Sequence, residues 1–365
     1  MTTRYYFDHN ATTPIAPEVL EAMMPAMTEV YGNASSLHQF GQEARTLLDK
    51  ARRDVAAFLG ANPKEIVFTS GGTESDQMAV LGRRHVITTT VEHPAVLNAA
   101  KQNDHVTLVE VDSRGLVDPG EIRKALRPGV SLISVMHANN ELGTIQPIEE
   151  IARIAREAGV EFHSDGVQAA GKMPVDVKAL GVDLYSIAGH KIYGPKGVGV
   201  LFARDRRRRA GTDNVAGAVG LAAAVRLAMQ RGEKENARLA ALRDRLEESV
   251  LDRIPGTHVN GLGAPRAPNT SNLRFDGIDS EPLLIALDLR GFAVSSGSAC
   301  SSGSQEPSHV LQAIGLTKEQ ARSSLRVSLG RSNDVEQVDA LVDAMVECVA
   351  HLRRLAPGKP APAYV

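Results

Sequence analysis

Two neighbouring stretches decide the fold: VEFHSDGVQ at residues 160–168 and DLYSIAGHK at residues 183–191. Each opens as a short β-favouring run, and several of the strand candidates in this chain are apolar on both faces. Each then turns through small residues beside an ionisable side chain, Asp165 in the first and Lys191 in the second. Strands without a polar face belong inside a mostly parallel sheet covered on both sides. Working outward, five more runs read the same way: EIVFTS (65–70), HVITTT (85–90), VTLVEV (106–111), SLISVM (131–136) and GVGVLFA (197–203). Helical patterns lie between them, such as IEEIARIAREAG (148–159), which stops at a glycine. The expected fold is α/β, a mostly parallel sheet between helices.

Beyond the sheet, residues 221–251 read as a long charged helix or two helices in series. PGTHVNGLGAPRAPNT (255–270) then marks a junction rich in Pro and Gly. Residues 15–254 are therefore expected to form a large domain, and 1–14 with 255–365 a smaller α+β unit. An amphipathic helix from Ser36 to Gly60 is expected to bury Phe40, Leu47, Leu48 and Leu59. Another, from Asp334, has Asn333 and Glu336 at capping-box spacing.

Composition narrows the function classes. With 41 basic and 43 acidic side chains in 365 residues the net charge is −2, so no basic field points to nucleic acid. No stretch approaches the ~20 apolar residues of a membrane span. The opening MTTRYYFDHNATTP has no apolar signal core, and the 2 cysteines exclude a disulfide framework and a four-thiolate metal site. A cytoplasmic protein is expected.

Several strand ends carry chemistry. SGGTES (70–75) follows a strand and opens a helix, which suits an anion at Gly72 and Thr73; a Gly-Gly turn capped by Thr73 fits the same letters. It has neither the P-loop lysine nor the dinucleotide spacing. Lys191 stands where ligands of α/β sheets bind, and there a lysine of depressed pKa can join a carbonyl cofactor; a surface lysine in a Gly/Pro turn is the plainer reading. Asp165, with Gln168 three residues on, can keep a pyridine nitrogen protonated or can merely cap a helix. His93 can stack or relay a proton, and Asn140 can bind substrate or form a turn. Cys300 lies in VSSGSACSSGSQEP (294–307), small polar residues with nothing to bury, so it reads as a surface thiol. Cys348 borders an apolar helical stripe and reads as core. Arg326 can fork onto a carboxylate.

Taken together, these motifs resemble the cysteine desulfurases of the fold-type-I pyridoxal-phosphate enzymes, along nearly the whole chain. DHNATTP (8–14), SGGTES (70–75), EHP (92–94), NNELG (139–143), DGVQ (165–168), HKIYGPKG (190–197), SSGSAC (295–300) and SSLRVSLGR (323–331) carry the resemblance. It implies that Lys191 carries pyridoxal 5'-phosphate and Asp165 pairs with the ring nitrogen. Gln168 would meet the phenolic oxygen, and His93 would stack on the ring. Thr73 and His190 would hold the phosphate, with Thr212 reaching in from the second subunit of a homodimer. Asn140 and Arg326 would fix the carboxylate of L-cysteine. Lys191 would take the Cα proton and Cys300 the sulfur, leaving alanine and a persulfide for an acceptor protein in iron–sulfur cluster assembly or tRNA thiolation.

Two features depart from the family. Ala188 replaces a phosphate-binding serine, which leaves Ser186 as the nearest alternative hydroxyl. The segment between Phe202 and Thr212 is shorter than usual, which bears on how a dimer would complete the site. The same fold also accommodates a selenocysteine lyase, an aminotransferase, or a sulfur-relay partner with weakened catalysis. A hydrolase built on Cys300 and His309 would leave Lys191 and Asp165 unexplained.

Overall fold

The computed structural model describes residues 4–205, 209–296 and 306–355. After a short first strand, β1 (Tyr5–Tyr6), seven strands form one sheet: β2 (Ile66–Thr69), β3 (His85–Thr89), β4 (His105–Val109), β5 (Leu132–Ser134), β6 (Glu161–Asp165), β7 (Leu184–Ala188) and β8 (Gly199–Ala203). Their order is β2-β8-β7-β6-β5-β3-β4. Only β8 runs against its neighbours, pairing antiparallel with both β2 and β7. β2, β5, β7 and β8 are buried at every residue, because helices cover both faces, and this explains their continuous apolar runs.

Register brings the reactive ends together. Asp165 pairs with Ser186, while Gly199 lies opposite both Thr69 and Ala188. Gly199 must lack a side chain: a Cβ there would sit 2.6 Å from the Gly71 carbonyl carbon. The turn after β2 can therefore close over the end of β7.

Of the two readings of residues 221–251, the single long helix is the one found, and it runs Val215–Arg253. Its first half, from Val215 to Leu227, packs on the sheet core. Its second half presents Leu239, Leu242, Leu246 and Val250 to another core, each leucine contributing about 2 kcal/mol by burial. That second core is built on a three-stranded sheet, β9 (Thr257–Val259), β10 (Thr270–Phe275) and β12 (Ser324–Ser328), with β10 in the middle. The helix Val335–Leu355 and Phe7 from the amino-terminal segment complete it. β1 pairs with β11 (Phe292–Ala293) in parallel. The junction expected at 254/255 falls at the end of the long helix, whereas the second core already takes that helix from Leu239.

Two local readings differ from the structure. Phe40 is 52% exposed, on the helix Gln39–Leu59 whose inner face buries Leu48, Val55 and Leu59. The Val335–Leu355 helix is capped by Asp334, which accepts from the Gln337 N–H at 2.8 Å. Asn333 is instead buried, accepting from Gly330 N at 2.7 Å and donating to the Tyr6 carbonyl at 3.0 Å. Cys348 is buried in the second core, with the Arg290 guanidinium against its sulfur.

Candidate active site

A cavity of about 240 Å3 opens at the carboxyl ends of the strands, lined among others by Gly72, Thr73, His93, Asn140, Asp165, Gln168, His190, Lys191 and Arg326. Lys191 ends a single 3-10 turn, Gly189–Lys191, that follows β7 directly. Its Nζ donates to the carbonyls of Asn10 (2.6 Å) and Ala11 (2.7 Å). The turn is clamped to the amino-terminal segment: the His190 carbonyl accepts from Thr13 N at 2.8 Å and from its hydroxyl at 2.9 Å. The His190 ring Nδ1 lies 3.1 Å from Thr12 Oγ1. Just beyond, Tyr193 adopts φ 65°, a left-handed backbone that is costly without glycine. Its N–H donates to Thr13 Oγ1 at 2.8 Å, its hydroxyl accepts from Arg331 N at 2.7 Å, and the Arg331 guanidinium lies 4.1 Å over its ring.

Asp165 ends β6 and accepts from Val167 N at 2.9 Å. Burial pushes its carboxyl up to about 6, against the lowering effects of that N–H and of Lys191. Two further carboxyls lie buried nearby. Burial raises Asp76 well above the usual range, helped by Asp165. Burial raises Glu92 to about 8, although it accepts from Thr89 Oγ1 (2.7 Å) and Met136 N (2.9 Å). Behind Asp76 stands His163, 3.7 Å from Asp76 Oδ1, with its ring nitrogens on Ser134 Oγ (2.9 Å) and Ser186 Oγ (3.0 Å). Burial raises Asp76 and Glu92 further than Asp165, which also has Lys191 to lower it, so Asp165 is the member best able to meet a cation with a negative charge.

Opposite lies the amino terminus of the helix Gly72–Val80, whose first-turn N–H groups favour an anion. A Cβ at Gly72 would meet Val167 Cγ2 at 2.7 Å and Ala188 Cβ at 3.6 Å, so the backbone approaches the cavity closely only because the residue is glycine. Ala188 is buried and contributes a methyl where a hydroxyl was expected. Ser186 does not replace it, because its hydroxyl is taken by His163.

His93 caps the helix Pro94–Ala100, its Nδ1 accepting from Ala95 N at 3.1 Å. Burial, then the charge of Lys191, lowers it to about 4, so the ring is neutral with its proton on Nε2. The same causes lower His190 to about 4. Arg326, 1% exposed on β12, pairs with Asp8 at 2.6 Å and donates to the Asn140 carbonyl at 3.1 Å.

Thus Gly72, Thr73, His93, Asn140, Asp165, Gln168, His190, Lys191 and Arg326 share one cavity. Thr212 is exposed on this chain and is not part of that lining. Cys300 lies outside the described residues. Sequence reading assigned no role to Asn10, Asp76 or Glu141, which line the same cavity, nor to Lys172 beneath it. The motif DHNATTP was the available signal for Asn10. Beside Glu141 and Glu92, Ser308 Oγ donates to Glu141 Oε2 at 2.6 Å and His309 Nε2 to the Glu92 carbonyl at 3.0 Å.

A strand-end lysine, a buried carboxylate and a helix amino terminus around one cavity fit a phosphate-bearing aromatic aldehyde. They define the class: an α/β enzyme of the pyridoxal-phosphate type. Comparison with known proteins narrows it. The aminotransferase class-V family matches residues 5–207 and 203–341. The cysteine desulfurase IscS of Methanosarcina thermophila is 46% identical over 381 aligned positions, covering 97% of this chain and 94% of its own. A solved NifS-like protein is 36% identical with a TM-score of 0.88, covering 96% of this chain and all of its own. SspA, solved in complex with cysteine, is 34% identical with a TM-score of 0.79, covering 90% and 99%. The chain belongs to the aminotransferase class-V family and, within it, to the pyridoxal-phosphate-dependent cysteine desulfurases. The two matched stretches overlap at residues 203–207, at the short segment after Phe202. The desulfurase alignment is also longer than the 365 residues of this chain, so that relative carries residues this chain lacks.

Proposed function

We propose that this chain takes sulfur from L-cysteine with pyridoxal 5'-phosphate held between Lys191, Asp165 and the Gly72–Thr73 helix end. One observation carries the reading: those three features line a single cavity. When bound, the cofactor supplies an electron sink for charge left at the substrate Cα. Lys191, once free as an amine, removes the Cα proton. Asp165 as a carboxylate would meet the ring nitrogen, and Gln168 the phenolic oxygen. His93, neutral and with its proton on Nε2, would lie against the ring. His190 and Thr73 would hold the phosphate. Arg326 and Asn140 orient the substrate carboxylate.

Cys300 thiolate attacks the substrate sulfur: an S–S bond forms, the S–Cβ bond breaks, and the electron pair left on carbon takes a proton to give alanine. The decisive experiment is mass spectrometry after cysteine treatment. One added sulfur is expected on Cys300 and none in Cys300→Ala; sulfur on Cys348 instead would overturn the assignment. The persulfide passes to an acceptor protein.

A homodimer is part of the proposal. Leu20, Met24 and Met27 stand outward at helical spacing on the helix Pro17–Thr28. Tyr31, Leu37 and Phe40 are also exposed, Leu37 at 90%, with the Tyr31 and Phe40 rings 5.7 Å apart. Large exposed apolar side chains of this number mark an interface. Thr212 would then serve the second subunit's cavity, and light scattering at working concentration should give twice the chain mass. Among the described residues no helix is long and apolar enough to cross a membrane; the proposed location is the cytoplasm.

A further inference from the structure

Asn10 spends its whole hydrogen-bonding capacity. Its N–H donates to Ser328 Oγ at 2.9 Å. Its carbonyl accepts from Lys191 Nζ at 2.6 Å and Gln168 Nε2 at 2.9 Å. Its Nδ2 donates to the Asn140 carbonyl at 3.1 Å and Thr270 Oγ1 at 2.8 Å. Its Oδ1 accepts from Lys172 Nζ at 2.8 Å and Asn269 Nδ2 at 3.0 Å. Three residues of the cavity therefore hang on one asparagine, and Arg326 shares the Asn140 carbonyl with it.

The Lys172 end of this arrangement is unusual. The side chain is buried, and among the described residues no carboxylate pairs with it. Its ammonium group is spent on two amide oxygens, Asn10 Oδ1 and Gln168 Oε1. Burial, then the charges of Lys191 and Arg326, hold it well below the usual lysine range. Burying a cation with neutral partners costs stability. What it fixes is the placement of two side-chain amides: that of Asn10, the residue whose backbone carbonyl takes Lys191, and that of Gln168, which lines the cavity.

We propose that Lys172 and Asn10 form a positioning pair that aims the Lys191 amine and the Gln168 amide into the cavity and ties both to the strand bearing Arg326. The proposal rests on Lys191 carrying the cofactor, but its central test does not. Lys172→Met keeps the length of the side chain and removes both hydrogen bonds. In cofactor-free protein, hydrogen exchange of the peptides spanning Asn10–Thr13 and Gly189–Tyr193 should quicken about tenfold. Exchange in the helix Val335–Leu355 should not change, and the melting temperature should hold or rise. In the loaded protein, the visible circular dichroism per bound cofactor should fall by half or more. Asn10→Ala removes the side-chain anchors while leaving the carbonyl that Lys191 uses, and should change both signals in the same direction.

Wild-type exchange in those two peptides in Lys172→Met would overturn the proposal. So would faster exchange throughout the chain with a lower melting temperature, which would mark Lys172 as general support. If Lys191→Ala still bound cofactor normally, the cofactor reading would fail while the exchange result still decided the positioning pair.

Discussion

Two walls of the same cavity are built in opposite ways. The strand-end wall takes Thr73, His93, Asp165, His190 and Lys191 from strand ends of one sheet or from the residues just after them. The assembled wall takes Asn10, Asn140 and Arg326, which meet only because segments more than 100 residues apart pack together. In the first wall the sheet places each side chain, and only the turn after β7, with His190 and Lys191, also leans on the amino-terminal segment, so Thr73, His93 and Asp165 should act more independently. In the second they share carbonyls and partners, so they should act as a unit.

The largest expected effect tests the strand-end wall. Lys191→Ala should lose the visible absorption of bound cofactor and at least ~100-fold of turnover. A wild-type spectrum in that variant would break the reading of this wall. Next comes the assembled wall. Arg326→Lys keeps charge but not the fork, and should raise KM for cysteine about ten- to hundredfold. Combining it with Asn10→Ala should cost clearly less than the product of the single effects; a product of full size would show that the wall is not a unit.

Ala188→Ser is a gain-of-contact test on the independent wall. A hydroxyl bonded to a charged phosphate is worth roughly 1.5–3 kcal/mol. Cofactor loss during dialysis against a competing amine should therefore slow about tenfold or more, with cysteine specificity unchanged. Loss as fast as in the parent would mean that another donor already serves the phosphate.

The smallest effect concerns stability and pH. Glu92 is raised to about 8 when folded, above its unfolded range near 4. The folded chain therefore holds this proton across that window, and the stability from Glu92 is lost as pH rises from about 4 through 8. Glu92→Gln should remove that decline. Its melting temperature should exceed the parent's by roughly 2 °C or more at pH 8, and by less at pH 5. A difference independent of pH would mean that Glu92 does not titrate there.

What could be read from the sequence follows the same division. The seven sheet strands and the strand-end residues are visible because two-sided burial and an adjacent turn are local properties. Phe40 was misread because an amphipathic stripe looks the same whether it will face a core or an interface. Asn10 had a motif but no legible role, since its partners Asn140, Gln168 and Thr270 lie 130 to 260 positions away. Lys172 drew no reading at all, because nothing local in the sequence marks its side chain for burial. The Asn333 cap was wrong by one residue because nothing local shows that Tyr6 needs that side chain.

The helix Val215–Arg253 is a single rod of about 58 Å at 1.5 Å per residue. One end is fixed in the sheet core and the other in the core that carries β12 and Arg326. Between the two buried stretches runs QRGEKENAR (230–238), polar or small at every position. It works as an axle: twist or tilt applied at one end arrives at the other unless this partly exposed middle bends. Heat should therefore melt the two cores in one calorimetric transition, and a Pro at Lys234 should split that transition into two.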